Sequence, residues 1–294
     1  MHLLLLILIF TTPALASDFP VTETDDQNMA VTLNAPPQRI VSLAPSNTEI
    51  LFSLGLNDRV VGVTEYCDYP PEAAQKTQVG GFSKSSLEAI VSLQPDLVLA
   101  ARLNPLDLLD GLRELDIPVF ALGPTSLADA LDTIHRVGRL TGTNALADSL
   151  IKSLNKRKTA VQTRIQKIAP KDRPKVLWGT LKAPMYTSGA KSYIDDLIRL
   201  SGGTNIGAQA GTGWPQVGLE TLVTWNPQVI ITSSDPEKIQ TAITRLQQIE
   251  GWKEIEAIQN SRVYHIDSNL LQRPGPRVID ALEILANRLH PQIP

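Results

Sequence analysis

The chain has 294 residues, 43% of them hydrophobic, and sets 27 Lys and Arg against 30 Asp and Glu for a net charge of −3. That apolar share supports one large or two modest globular domains, and the mixed signs exclude nucleic acid or an anionic membrane as the favoured partner and leave a small molecule. A single cysteine, Cys67, excludes an internal disulfide framework.

The chain opens MHLLLLILIFTTPALASDFP, an apolar run from Leu3 to Phe10 followed by the small-residue site Ala14-Leu15-Ala16. Residues 1–16 are expected to be a signal peptide, with Ser17 as the new N-terminus, since the run is well short of the ~20 residues that span a bilayer. No cysteine stands at the cleavage point to take a lipid, so the mature chain is expected free in a bacterial periplasm, with Cys67 a small, partly buried filler. Residues 17–38 are polar, end in Pro36-Pro37 and read as an irregular lead segment.

From Arg39 the texture changes. RIVSLA reads as a short strand. Ser46, with Glu49 three residues on, reads as a capping box opening a helix that carries Ile50, Leu51 and Leu54 and stops at Gly55. VVGV, the helix LEAIVSLQ, the strand DLVLAA, the helix LLDGLREL, the strand PVFAL and the helix SLADALDTIHRVGRL follow. This alternation implies βαβ units and a mainly parallel sheet, an α/β lobe over 39–142.

Residues 143–173 carry no strand signal, while Leu146, Leu150, Leu154, Val161, Ile165 and Ile168 recur at helical spacing before Pro170 and Pro174 close the segment. Such a helix runs roughly 40 Å, enough to join two lobes. Alternation resumes over 174–294 with KVLWGTL, a helix from Tyr193 to Leu200, the strand QVIITS, a helix from Pro236, the strand RVYHI and the helix RVIDALEILANRL.

LEAIVSLQPDLVLA, from Leu87, matches LETLVTWNPQVIIT, from Leu219, and LFSLGLNDRVVGV more loosely echoes LIRLSGGTNIGAQ. The common order of these repeats around one connecting helix implies two similar α/β lobes, mainly parallel sheets flanked by helices, with a ligand cleft between them.

A catalytic inventory is bare. His135, His265 and His290 have no metal-ligand spacing, and no GxSxG, phosphate loop or dinucleotide fingerprint is present. No catalytic residue, resident cofactor or metal is expected, and Cys67 has no neighbouring base. The chain does carry aromatic residues in loops, although it has only five Phe, five Tyr and four Trp: Tyr66 and Tyr69 in EYCDYPPEA, Phe82 in GGFSKS, Tyr186 in APMYTSG and Trp214 in GTGWPQV. Rings on strand-end loops of facing lobes would give flat apolar walls to a large ring-bearing ligand.

SLAPSNTEILFSLGL, TEYCDYPPEA, QVGGF, YTSG, WPQV and RPGPRVIDALEILA together resemble the periplasmic cobalamin-binding proteins of ABC importers, within the helical-backbone metal-receptor group, from Arg39 to the end of the chain. The resemblance implies two α/β lobes bridged by one long helix, cobalamin or a related corrinoid held in the cleft, and delivery by a monomer to a membrane-embedded permease dimer. It maps the ring contacts onto Tyr66, Phe82 and Trp214, with Phe82 where such a binder carries Trp. A ferric-siderophore or haem receptor is the alternative, for which Arg102 and Arg273 are the loop cations and a Tyr or His would ligate haem. A metal-cluster or chelatase-type enzyme is a third reading, short of Cys and His ligands.

Glu88 and Glu220 stand at equivalent positions of the repeated helices. Ser85 and Glu88 fit a capping box, whereas Val217, three residues before Glu220, cannot cap and Gly218 can. The resemblance implies that both glutamates dock the two lobes onto arginines of the permease.

Overall fold

Two parallel sheets form because the short apolar strands are buried on both faces and only helical crossovers can cover them. The computed structural model describes residues 19–293; the signal-peptide reading of residues 1–16 falls outside them. In the N-terminal lobe, Thr77–Gln78, Val60–Val63, Ile40–Ser42, Leu97–Ala101 and Val119–Leu122 lie side by side in that order, all parallel. In the C-terminal lobe the order is Thr204–Asn205, Lys175–Trp178, Val229–Thr232 and Val263–His265, again parallel throughout.

Apart from the two-residue edge strand Thr77–Gln78, which has no counterpart in the C-terminal lobe, the two orders are the same arrangement of four strands, counted in chain order without it. In each lobe the first strand has the second on one flank and the third and fourth on the other. The repeated helices Leu87–Ser92 and Leu219–Trp225 both feed the third strand, and the looser echo feeds the second strand in both lobes.

The connecting helix is Asn144–Ile165, 22 residues, or roughly 33 Å. It packs on the last helix of the N-terminal lobe, Leu127–Thr141, and on the last helix of the C-terminal lobe, Val278–Leu289. Its buried stripe is Ala147, Leu154, Val161 and Ile165, while Leu146, expected in that stripe, is exposed. A small residue is needed at the crossing: a Cβ on Gly138 would come within 2.5 Å of the Ala147 Cβ. Arg157 fixes the other side, reaching Asp280 and Glu283, each at 2.6 Å.

One apolar cluster runs from Ile40, Leu97 and Phe120 through Ile134, Leu154 and Ile165 to Val176, Val229 and Leu285. The lobes therefore share a core, with separate clusters on the outer faces of their sheets. Prying them apart would expose that surface at ~25 cal/mol per Å², so large hinge opening is disfavoured.

Three local expectations need correction. The lead segment is not irregular: Val21–Thr24 and Ala30–Leu33 pair as an antiparallel hairpin. Its acids looked like loop residues because their partners are distant. Asp25 is buried and accepts from the backbone N–H of Gln27 and Met29, both 2.8 Å, and of Ala121, 3.1 Å. Asp26 pairs with Arg136 at 2.7 Å, and Glu23 accepts from Arg139 at 2.8 Å. Ser46 and Glu49 do not form a capping box: the helix is Pro45–Ser53, and its Ala44 cap makes no side-chain bond. At the repeated helix the cap is Ser86, not Ser85; its oxygen accepts from Ala89 N at 3.1 Å and its hydroxyl donates to Glu88 at 2.9 Å.

Candidate functional site

Loops leaving the C-terminal ends of parallel strands diverge and leave a crevice between them. Here such loops from both lobes enclose a cavity of about 440 Å³, within the range of roughly 300–1,000 Å³ usual for small-molecule sites. The N-terminal wall comes from Ala44–Ser46 after the first strand, Arg102 and Leu103 after the third, and Gly123–Thr125 after the fourth. Phe82 completes it from the short ribbon Gly80–Gly81 and Lys84–Ser85. The C-terminal wall is Lys191–Ile194, Gly213-Trp214 and Gln272–Pro274.

Of the five loop rings singled out in the sequence, Phe82 and Trp214 line this cavity from opposite lobes. Trp214 is half exposed and sits edge-on to Trp178, centroids 5.5 Å apart at 60°. That contact orients a ring which its Gly-rich loop would otherwise leave loose. Tyr66 and Tyr186 do not line the cavity and are 53% and 61% exposed. Each stands beside a ring that does. Tyr66 lies against Gly81, next to Phe82, and Tyr186 pairs with Gln216 across the ribbon Met185–Tyr186 and Gln216–Val217, two residues from Trp214.

The floor of the cleft is tied by charge across the lobes. Glu49, 2% exposed, accepts from Arg277 through both oxygens, at 2.6 and 2.9 Å, and lies 3.9 Å from Arg273. The Arg277 guanidinium also stacks 3.8 Å above the Tyr69 ring. Arg273 bonds Asp68, whose carboxyl it holds below the usual range. Burial pushes Glu49 up, against the pull of Arg277, while the carboxylate raises Arg277. With bidentate geometry the pair is ionic, and its geometry specifies how the lobes meet. At the other end, Leu127 N donates to Asp196 at 2.9 Å.

Arg102 and Arg273, named in the sequence as loop cations, both line the cavity. Lys191, Leu103 and Tyr193 line it as well and carried no sequence motif that marked them. The only hint at Lys191 was its place between YTSG and the helix from Tyr193. The Tyr193 hydroxyl is buried with no hydrogen-bond partner among the described residues, and burial pushes its pKa up.

Groups suited to catalysis are tied down elsewhere. Cys67 is buried beside Thr64 at 3.2 Å, and burial pushes its thiol up, away from the reactive thiolate. His265 Nδ1 bonds the Ser234 carbonyl at 2.8 Å, and buried His290 bonds the Gly202 carbonyl at 3.1 Å. Among the described residues no cluster of three or more His, Cys, Asp or Glu is placed to hold a metal, and no helix is long and apolar enough to cross a membrane. Glu88 and Glu220 are both exposed, each the second residue of its helix, one in each lobe.

A family model described as periplasmic binding protein matches residues 40–270. An ABC transporter substrate-binding lipoprotein of Bacillus subtilis, itself uncharacterized, is 34% identical over 93% of this chain and 86% of its own length. A cobalamin-binding protein of Halobacterium salinarum is 32% identical over 94% of this chain and 75% of its own. Among solved structures, the periplasmic vitamin B12-binding protein of Vibrio cholerae superposes with a TM-score of 0.75 at 30% identity, covering 86% of this chain and 97% of that one. A periplasmic haem-binding protein from Roseiflexus sp. RS-1 superposes with a TM-score of 0.76 at 27% identity, covering 86% and 98%.

Proposed function

We propose that this chain, which belongs to the periplasmic binding protein family and is a substrate-binding component of an ABC transporter, captures a corrinoid, cobalamin or a close relative, in the cleft between its lobes. The observation that carries the reading is the pair Phe82 and Trp214 on facing walls of one cavity. Opposed rings hold a flat macrocycle by dispersion and exclusion of water without needing a metal ligand from the protein. The cobalamin- and vitamin B12-binding relatives support the same ligand class.

In this reading the chain binds without turnover and works outside the cytoplasm, in the periplasm, as a monomer delivering to a permease dimer. Glu88 and Glu220, exposed and one to a lobe, are the docking pair, and Tyr66 and Tyr186 close on the outer part of the ligand. The shared core limits hinge motion, so capture rests on a largely preformed cleft.

A haem or ferric-siderophore ligand is the second reading. It is favoured by the cations of the cleft and by the likeness to a haem-binding protein. Calorimetry on the chain from Ser17 onward tests the choice. One cyanocobalamin is expected to bind per chain; saturation by haem or a ferric siderophore, with no heat from cyanocobalamin, would move the protein to the second reading. The visible spectrum of the purified protein separates the same candidates.

A further inference from the structure

The charges of the cleft are one-sided. Among the described residues no Asp or Glu lines the cavity, while Arg102, Lys191 and Arg273 do. Arg273 is neutralised by Asp68. Arg102, from the N-terminal lobe, and Lys191, from the C-terminal lobe, have head groups with no ion pair or hydrogen bond among the described residues. The cations of the nearby hairpin region are treated differently: Arg113, Arg136 and Arg139 all have acidic partners.

Both cations stand on braced backbone. Arg102 N donates to the Leu122 carbonyl at 2.7 Å, and its side chain lies over Gly123. A Cβ at residue 123 would come within 2.8 Å of the Arg102 Cβ and 3.1 Å of its Nε, so only glycine lets the stem lie there. Gly123 is itself held by Asp26, 2.6 Å from its N–H. Lys191 has a left-handed backbone, φ 60°, uncommon for a residue with a side chain. Its N–H donates to Asp195 at 3.1 Å, and Asp195 is fixed in turn by Asn205 at 3.0 Å. Off-region backbone held by surrounding bonds is a feature of ligand clamps.

We propose that Arg102 and Lys191 form an anion clamp, each lobe giving one cation to an anionic oxygen group of the ligand while Phe82 and Trp214 hold its rings. The macrocycle is taken from the function proposed above; the clamp is not. On a complete corrinoid the group is the phosphodiester of the nucleotide loop, since the remaining side chains are neutral amides. On a haem it is a propionate. Either way the protein reads an acidic appendage and not only a flat ring.

The experiment compares ligand pairs that differ in that appendage: cyanocobalamin against dicyanocobinamide, which lacks the whole nucleotide loop, phosphodiester and base together, and haem against its dimethyl ester. Wild-type protein is expected to prefer the anionic member of the pair it binds by roughly 10- to 100-fold, the scale of a charge-assisted hydrogen bond, and the preference should shrink as salt is added. Arg102→Met and Lys191→Met should each reduce that preference about tenfold, and Arg102→Lys should restore part of it. Discrimination within the haem pair alone would refute the corrinoid reading and uphold the clamp. Wild-type protein that discriminates within neither pair overturns the clamp. So do variants, folded by circular dichroism, that weaken both members of a pair equally.

Discussion

The two lobes share one strand order yet meet each other with opposite chemistry. In register with the looser repeat, Ser46 and Glu49 correspond to Ser192 and Asp195. In the C-terminal lobe the pair stays local: Ser192 caps its helix by accepting from Asp195 N, and Asp195 serves Lys191 N and Asn205. In the N-terminal lobe the same places face the other lobe, and Glu49, buried in the middle of its helix, binds Arg277 across the contact. Identical faces set against one another would oppose like charges. One copy had to keep its acid for capping and the other to spend it on the contact. The repeat therefore governs the scaffold, while the facing edges diverge to become complementary.

The largest expected effect tests this division directly. Glu49→Ala removes the carboxylate from between Arg277 and Arg273 and leaves buried positive charge uncompensated, a loss of about 3–5 kcal/mol. Asp195→Ala removes local hydrogen bonds and should be milder, about 1–3 kcal/mol. Urea unfolding of both variants measures the difference. Equal losses would mean that Glu49 contributes no more than a local acid does. The double change Glu49→Leu with Arg277→Met should recover most of the stability, since breaking a buried pair is worse than replacing it.

Ligand contacts sharpen the comparison next. Phe82→Ala and Trp214→Ala should each weaken binding by about 1–3 kcal/mol, because each ring lines the cavity from its own lobe. Tyr66→Ala and Tyr186→Ala, one residue step outside, should lose less than about 1 kcal/mol. Calorimetric titration gives all four. If Tyr66 rivals Trp214, the N-terminal wall extends beyond the cavity seen here.

Strand and helix order, the paired lobes and the loops that bring two of the five rings to the cavity were legible because they rest on local pattern: apolar runs, turn residues and a repeat within one chain. The misses share a different cause. Glu49 three residues after a serine has the spacing of a capping box, and nothing local reveals an arginine 228 residues away. The hairpin acids were read as loop for the same reason, with partners Arg136 and Arg139 more than a hundred residues on. Lys191 was invisible because its role depends on what the other lobe sets opposite it. Periodicity reports what an element buries; it does not report which distant charge answers a surface polar residue.

A smaller effect is expected from pH near neutrality, at His290 in the C-terminal lobe. His290 is buried at the end of Val278–Leu289, and its pKa is lowered by burial, with the charges of Arg262, Arg173 and Arg164 adding to the effect. A histidine held below its ordinary value of 6.5 is less protonated in the folded chain than in the unfolded one. Its contribution to stability is present above that value and is lost as pH falls through the depressed one. The melting temperature should therefore drop between about pH 7 and about pH 5, and His290→Gln should flatten that part of the profile. An unchanged profile would show that His290 is not the sensor.

The smallest effect on the chain itself concerns Glu88 and Glu220, and it carries the lobe comparison to the transporter. The two helices start differently: Ser86 caps the first and its hydroxyl also holds Glu88, whereas Gly218 gives the second no side-chain cap. Hydrogen bonds from its own backbone N–H and from Ser86 lower the Glu88 pKa, so whatever Glu88 adds to stability is present above the unfolded value and fades as pH falls. Glu220 has no side-chain partner among the described residues, which leaves the helix dipole to favour it. If these acids served helix starts alone, charge removal would matter more at Glu88 and have no consequence beyond the fold. A docking pair behaves in the reverse way: two exposed acids, one per lobe, meet two equivalent sites of a permease dimer, so either loss is felt equally. Glu88→Gln and Glu220→Gln should leave ligand affinity and melting temperature near wild type, while each lowers ligand uptake by vesicles holding the cognate transporter. Reversal of both, Glu88→Arg with Glu220→Arg, should abolish uptake. Full uptake by that double variant would return both residues to the helix ends, and a defect at Glu88 alone would show that the lobes do not dock symmetrically.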